Sequence, residues 1–316
     1  MPITVPPPVL RTAAVRFGVD PGGLDALERG GAPDGAVFPC RRDGRDAFLK
    51  IKPVAAGALD AERDRIDVVR YLRGRIGVVR YLPSLDDHLL EVVAEDDGGA
   101  VVVTLTQRAP GRHLTMPEDF TPEIIRAWAG TLGRIHAAMR HYDGGEHLPT
   151  WRDEHAMFLA GCRDDAVRRV WVELGEALAG LPTDPAGFGV VHNDLHSGNL
   201  LLGPDGRMTV LDFDVCARHW YATDLAILLV HPIWDLRRKD PSAIQPFVDT
   251  ALAAYTAQYP LPAEHLTHTP LLMRYRMALF VLAMAGELGD APRPPWLAEI
   301  RTWVLSGEPV ADIRFG

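Results

Sequence analysis

The sequence predicts an α+β fold built as two lobes. Three observations carry this. Segments up to about Thr106 alternate like strands and are parted by Gly-rich or Asp-Gly turns. Segments beyond Gly111 are rich in helix formers at helical spacing. One strand-like patch, FGVVHNDL to MTVLDFD, interrupts those later helices. The joint falls at 106–111, so residues 1–106 are expected to form a small sheet lobe with one helix, and 107–316 a larger, mainly helical lobe.

In chain order, residues 9–18 read as a short helix ending at Gly18. GLDALERG, GAVFPCRR and DAFLKIKP follow as short strands of a meander. The pattern over 58–75 predicts one helix. HLLEVVAE and AVVVTLTQ pair around Asp96-Asp97-Gly98-Gly99, a hairpin signal. Helices are then expected at 121–141, 153–180, 224–235, 242–259, 264–288 and 295–306.

With 47% hydrophobic and 24% charged residues, the 316-residue chain has globular composition and enough length for a large core. A formal net charge of -9 argues against a nucleic-acid partner held through phosphates. Cys40, Cys162 and Cys216 are too scattered for a zinc or disulfide framework, and a reduced, cytoplasmic setting is expected. The N-terminal MPITVPPPVLRTAAVRFG shows no secretory signal. Runs such as MALFVLAMAG are about half the roughly 20 residues a membrane helix needs, so no membrane partner is expected. Nothing in the sequence sets the oligomeric state.

The chemistry concentrates in VVHNDLHSGNLLL (190–202) and LDFD (211–214). A hairpin through the Pro-Asp-Gly turn brings the two together. Asn199 and Asp212 then offer hard oxygen ligands of the kind Mg²⁺ takes, beside a free carboxylate, Asp194, able to accept a proton from an attacking hydroxyl. Phosphoryl transfer needs this positioning and charge neutralisation. The spacing H-x-D-x-x-x-x-N followed by D-F-x resembles the kinase catalytic-loop and metal signatures.

HNDLHSGN with DFD resembles the aminoglycoside phosphotransferase/choline kinase-like family, whose loop typically reads H-G-D-L-H-x-G-N. The likeness spans most of the chain. It implies a protein-kinase-like fold, Asp194 as catalytic base, Asn199 and Asp212 as Mg²⁺ ligands, and ATP (or GTP) as co-substrate. Asn193 replaces the family's frequent Gly, a departure expected to be tolerated. The resemblance also suggests that Asp224 braces the loop, where the residues alone allow a plain N-cap. RAPGRHL and HLPTWRDEH are similar to the homoserine-kinase-like or stress-response-kinase-like branch.

The neighbouring residues carry alternatives. His192 and His196, at i and i+4, fit a transition-metal pair, or His192 packs under the loop and bonds backbone. Asp214 is either a further metal contact or a supporting acid. Strand alternation places Phe48, Lys50 and Lys52 on one face. Pro53 ends that strand, so Lys50 is expected to meet the phosphates and Lys52 to sit solvated at a frayed end. On the helix at 58–75, Leu59, Ile66 and Val69 define a buried stripe with Glu62 in its middle, a carboxylate that needs a partner; Lys50 supplies one. Phe48 either stacks on the base or fills the lobe core. The backbone around Gln107 and Ala109 is expected to bond the base edge, and GGAPDGAVF (30–38) to cover the phosphates.

Asp212 is followed almost at once by Asp224 and a helix, with no long segment to hold a peptide. That favours a small acceptor alcohol: an amino alcohol, aminoglycoside, homoserine or sugar. Trp151, Asp153, Glu154, Trp220 and Tyr221 are candidate walls of its pocket. A protein Ser/Thr kinase, a nucleotide-binding pseudokinase regulator and a zinc hydrolase using His192 and His196 are the competing readings.

Overall fold

Two prolines open helix α1 (Pro7–Arg16) at positions where a missing N–H costs nothing. The structure, a computed structural model, describes residues 5–27, 35–55, 57–95, 99–115, 118–289 and 291–315. β1 (Ala36–Arg42) and β2 (Arg45–Pro53) form a hairpin across Asp43-Gly44, both at positive φ (51° and 75°), as the tightest hairpin turns demand. Helix α2 (Leu59–Leu72) follows, then β3 (Arg80–Leu82), β4 (Glu91–Ala94) and β5 (Ala100–Gln107). β5 lies antiparallel to β2, with β3 and β4 both on its other edge.

Strand alternation divides the work of this sheet. Ala47, Leu49 and Ile51 pack with Val101, Val103 and Leu105 beneath Val9, Ala13 and Phe17 of α1. Phe48, Lys50 and Lys52 therefore face the other way. α2 turns its stripe elsewhere: Val68, Val69 and Leu72 join the larger core with Trp128 and Leu132. Residues 24–27 form no strand, although the Leu27 N–H reaches the Val37 carbonyl at 2.8 Å. Residues 28–34, which hold most of the expected phosphate-covering turn, and residues 96–98 of the β4–β5 turn lie outside the described residues.

The chain crosses to the helical part through β6 (Arg112–His113). Thr121 caps and Pro122 opens α3 (Pro122–Met139). Thr150 and Asp153 form a capping box at the start of α4 (Trp151–Gly161). The helix expected at 153–180 is two: Asp164 accepts from the N–H groups of Ala166 and Val167 and starts α5 (Asp165–Ala179). Next come β7 (Phe188–Val191), β8 (Leu200–Leu202), β9 (Met208–Val210) and β10 (Ala217–Trp220). β8 pairs with β6 and β9, and β10 pairs with β7. Helix α6 (Tyr221–Lys239) is buried on nearly every side over its first ten residues and forms the centre of the core. α7 (Ile244–Thr256), the short α8 (Ala263–Leu266), α9 (Thr269–Leu288) and α10 (Pro295–Ser306) enclose it.

Two glycines seat the β8–β9 hairpin. A Cβ on Gly77 would lie 2.5 Å from the Met208 carbonyl, and the backbone there exchanges bonds with Val210. Gly111, at φ +120°, would meet the Leu202 carbonyl at 2.8 Å. The hairpin is thus held from both sides of the joint.

Candidate active site

His192 to Asn199 form the loop between β7 and β8, and its backbone is fixed from below. Asp224, in the first turn of α6 and wholly buried, accepts from the N–H groups of His192 (2.9 Å) and Asn193 (2.8 Å) and pairs with His136 (3.2 Å), whose other nitrogen meets Tyr255. Burial opposes its charge, but His136, His192 and the loop amides hold the carboxyl below its ordinary value. The bracing role implied by the family resemblance is therefore visible as geometry. His192 spends both ring nitrogens on backbone, one with the Leu211 carbonyl (2.8 Å) and one with the Asp194 N–H (3.3 Å). That leaves it no nitrogen for a metal, which removes the zinc-pair reading.

Asn193 has φ +67°. Asparagine is the ordinary residue best suited to that region after glycine, which explains why it can stand where the family has Gly. Its side chain also builds something glycine cannot. The amide donates to Glu154 (2.7 Å) and to the Val215 carbonyl (3.2 Å), while Arg276 of α9 donates to its side-chain oxygen (3.1 Å) and main-chain oxygen (3.0 Å). Glu154 also accepts from Tyr275 at 3.1 Å and pairs with Arg276 at 3.3 Å. Asn193→Gly is expected to keep the backbone shape but cost about 1–3 kcal/mol, because buried partners lose their bonds. Urea denaturation checks this; an unchanged midpoint would show that the bridge contributes nothing.

Asp194 follows directly, and its carboxylate is 40% exposed toward the cleft. The Asn199 amide donates to its carbonyl (2.8 Å) and carboxylate (3.0 Å), and His196 lies 3.5 Å away. Burial raises its pKa, but His196, Arg276 and His192 outweigh that and hold it below the ordinary value. His196, though burial disfavours its charge, is raised by Asp194. Asn199 accepts from the Leu211 N–H at 2.9 Å through its main-chain oxygen, which sets it beside Asp212. Asp212 stands at φ +53°.

The lysines divide differently from expectation. Lys50 reaches Asp214 at 2.6 Å and Asp212 at 3.3 Å. Glu62 meets Lys52, at 2.8 Å to both carboxylate oxygens, and also Arg65. Lys52 is not a frayed end: its position still pairs with Val102 in the sheet, and its side chain is only 13% exposed. Strand alternation put both lysines on the correct face but could not say which one the α2 carboxylate would meet. Burial opposes the charge on Lys50, yet Asp214 and Asp212 raise its pKa, and Lys50 and Lys52 lower that of Asp214. A small cavity behind these charges is lined by Tyr81, Val102, Thr104 and Phe213.

Phe48 lies on the cleft face opposite Thr106, half-buried. Gln107 is still inside the sheet, opposite Ala47 and Arg80, and Ala109 lies just past the last rung. The proposed acceptor walls are not walls. Trp151, Trp220 and Tyr221 are core, Asp153 closes the α4 capping box, and Glu154 supports the loop.

The chain matches the profile of the phosphotransferase enzyme family (APH) over residues 34–267. It belongs to this family. A curated relative of the phosphotransferase, amicoumacin kinase of Bacillus subtilis (strain 168), is 26% identical over 233 residues, 72% of this chain and 68% of the relative. Among solved structures, amicoumacin kinase hAmiN in complex with AMP-PNP, Ca²⁺ and Ami superposes with a TM-score of 0.85 at 22% identity, over 97% of this chain and 95% of that one. A microcompartment-associated aminopropanol kinase gives 0.71 at 18% identity, over 95% and 93%. These likenesses show the fold: an antiparallel sheet lobe and a helical part of the protein-kinase-like kind. Family and kinase relatives together support ATP-dependent phosphoryl transfer to a small-molecule hydroxyl. Among the described residues, no helix is long and apolar enough to cross a membrane.

Proposed function

We propose that this phosphotransferase moves the γ-phosphoryl group of ATP (or GTP) to a hydroxyl of an amino alcohol, aminoglycoside, homoserine or sugar-like acceptor, with Mg²⁺. The carrying observation is the convergence on one cleft of a half-exposed carboxylate, Asp194, an oxygen pair, Asn199 and Asp212, and a half-buried cation, Lys50. Residues 1–106 serve nucleotide binding; residues 107–316 supply the loop, the metal ligands and the acceptor side.

The residues present fit a divalent cation. Asn199 uses its amide nitrogen on Asp194, which leaves its side-chain oxygen unused among the described residues, and Asp212 commits one oxygen to Lys50. Two hard oxygens suit Mg²⁺, which draws its remaining ligands from water and phosphate. Bound there, Mg²⁺ neutralises charge on the phosphates. Lys50 is placed to take the phosphates, and Asp214 keeps it charged. Lys52 and Glu62 tie α2 to the sheet behind it. The hinge backbone around Gln107 and Ala109 meets the base edge, and Phe48 its face. Asp194 orients the acceptor hydroxyl and accepts its proton as the new bond forms. Eight residues separate Asp212 from α6, and eleven separate it from Asp224, too short a stretch for a peptide platform, which favours a small acceptor over a protein. Three free thiols fit a reducing cytoplasm.

The test of this reading is ADP release from MgATP over a panel of amino alcohols, aminoglycosides, homoserine, sugars and a protein substrate. Stimulation by a small hydroxyl compound is expected; stimulation by protein alone would overturn it. Lys50→Ala is expected to lower turnover more than Lys52→Ala, since Lys50 touches Asp212, one of the two proposed metal ligands. Steady-state rates for both variants decide, and the reverse order would move the phosphate contact to Lys52.

A further inference from the structure

Most aromatic side chains of the helical part are spent in its core, where Trp171, Trp220, Tyr221, Tyr255 and Tyr275 are fully buried. Three rings grouped around Phe280 of α9 are not. Phe280 lies one turn beyond Arg276 on the same face of α9, about 6 Å further along the axis, and Arg276 is the residue that holds the main-chain oxygen next to Asp194. Phe280 is only partly buried. His231 of α6 meets it edge-on at 5.5 Å and keeps solvent access. Trp296 of α10 lies 5.8 Å from it and is 42% exposed. Among the described residues, Trp296 is the one aromatic residue that stands out as an exposed large hydrophobic.

The position relative to the loop is supported by electrostatics. The His231 imidazole is held below its ordinary value by partial loss of hydration; His196 and Arg276 add to this, while Asp194 and Asp235 oppose it. His231 thus shares a field with Asp194 and is neutral near pH 7. An imidazole, a phenyl and an indole offer no cation to hold an anion and a single nitrogen ligand, too few for a metal site. They offer flat faces.

We infer that His231, Phe280 and Trp296 form the wall of the acceptor pocket, and that the acceptor carries a flat ring face beside its reactive hydroxyl. This rests on the proposed phosphotransferase reading and narrows it. A short aliphatic amino alcohol would leave the wall in water. An aryl ring would stack on it, and the apolar face of a sugar would lie against it. Such a ring contact adds to the gain from the area it buries, so an effect of about ten-fold or more is expected.

The test compares three hydroxyl acceptors with MgATP: 1-amino-2-propanol, 2-amino-1-phenylethanol and methyl glucosaminide. The parent is expected to favour a ring-bearing acceptor over the aliphatic one by at least ten-fold in kcat/KM. Which of the two ring probes leads tells aryl from sugar. Trp296→Ala and Phe280→Leu are expected to cut that ratio by ten-fold or more, mainly through KM, with the nucleotide KM held. A parent that prefers 1-amino-2-propanol, or variants that keep the parent's ratio, would overturn the wall. Ligand-observed saturation-transfer NMR with 2-amino-1-phenylethanol separates the two readings. Binding that Trp296→Ala abolishes, without turnover of any acceptor, supports the wall and sinks the phosphotransferase reading. Turnover without ring binding does the reverse.

Discussion

Asp194→Asn is expected to leave the fold and nucleotide affinity near those of the parent and to lower turnover by about 10²–10⁴, the range a general base contributes. The substitution keeps size and shape, so Asn199 and the Asp224-braced backbone can still hold the loop. It removes the one carboxylate at the loop that is both fixed by the Asn199 amide and open to the cleft. A low residual rate is expected, because positioning and charge neutralisation supply most of the acceleration in phosphoryl transfer. Acceptor phosphorylation, measured beside nucleotide titration of the same variant, checks this. A rate within a few-fold of the parent would remove Asp194 from the chemistry.

Asp224→Ala is the second large effect, and it falls on stability first. The side chain is fully buried, accepts from two loop amides and pairs with buried His136. Removing one member of such a pair leaves the other groups without partners in the core and typically costs about 3–5 kcal/mol. The loss should appear as a lower denaturant midpoint, and hydrogen exchange should show the amides of His192 and Asn193 losing protection before the rest of the core. Retention of both midpoint and protection would mean that the loop is held by something other than Asp224.

Much of this site could be read from the chain because it lies on local structure. The polar loop and LDFD are joined by one hairpin, and the bond from Leu211 to the Asn199 carbonyl is what that hairpin predicts. The face of Phe48, Lys50 and Lys52 followed from strand alternation alone. The partner of Glu62 did not, since a helix packing against a strand can slide by one rung with little change in its apolar contacts; it met Lys52. Nor did the Asn193–Glu154–Arg276 bridge, which joins three elements separated by 39 and 83 positions along the chain. Glu154 reads from the sequence as a possible acceptor wall, and an acid on a helix cannot by itself reveal whether it faces solvent or an arginine of another helix. The short strands β3, β6 and β10 were also missed. Each has four residues or fewer, too few for periodicity to register. One signal for the break between α4 and α5 does lie in the sequence: Asp164 ahead of Asp165-Ala-Val is a helix start.

The central claim is that the polar loop and LDFD form one metal-phosphate site, with Asp194 beside it and outside it. Calorimetric titration of AMP-PNP with and without Mg²⁺, on the parent and on Asn199→Ala, Asp212→Ala and Asp194→Asn, tests this most directly. Tight binding that requires Mg²⁺ is expected for the parent and for Asp194→Asn, with a loss of about ten-fold or more, roughly 1.4 kcal/mol per decade, for Asn199→Ala and Asp212→Ala. Unchanged Mg²⁺-nucleotide affinity in both alanine variants, or its loss in Asp194→Asn, would contradict the assignment.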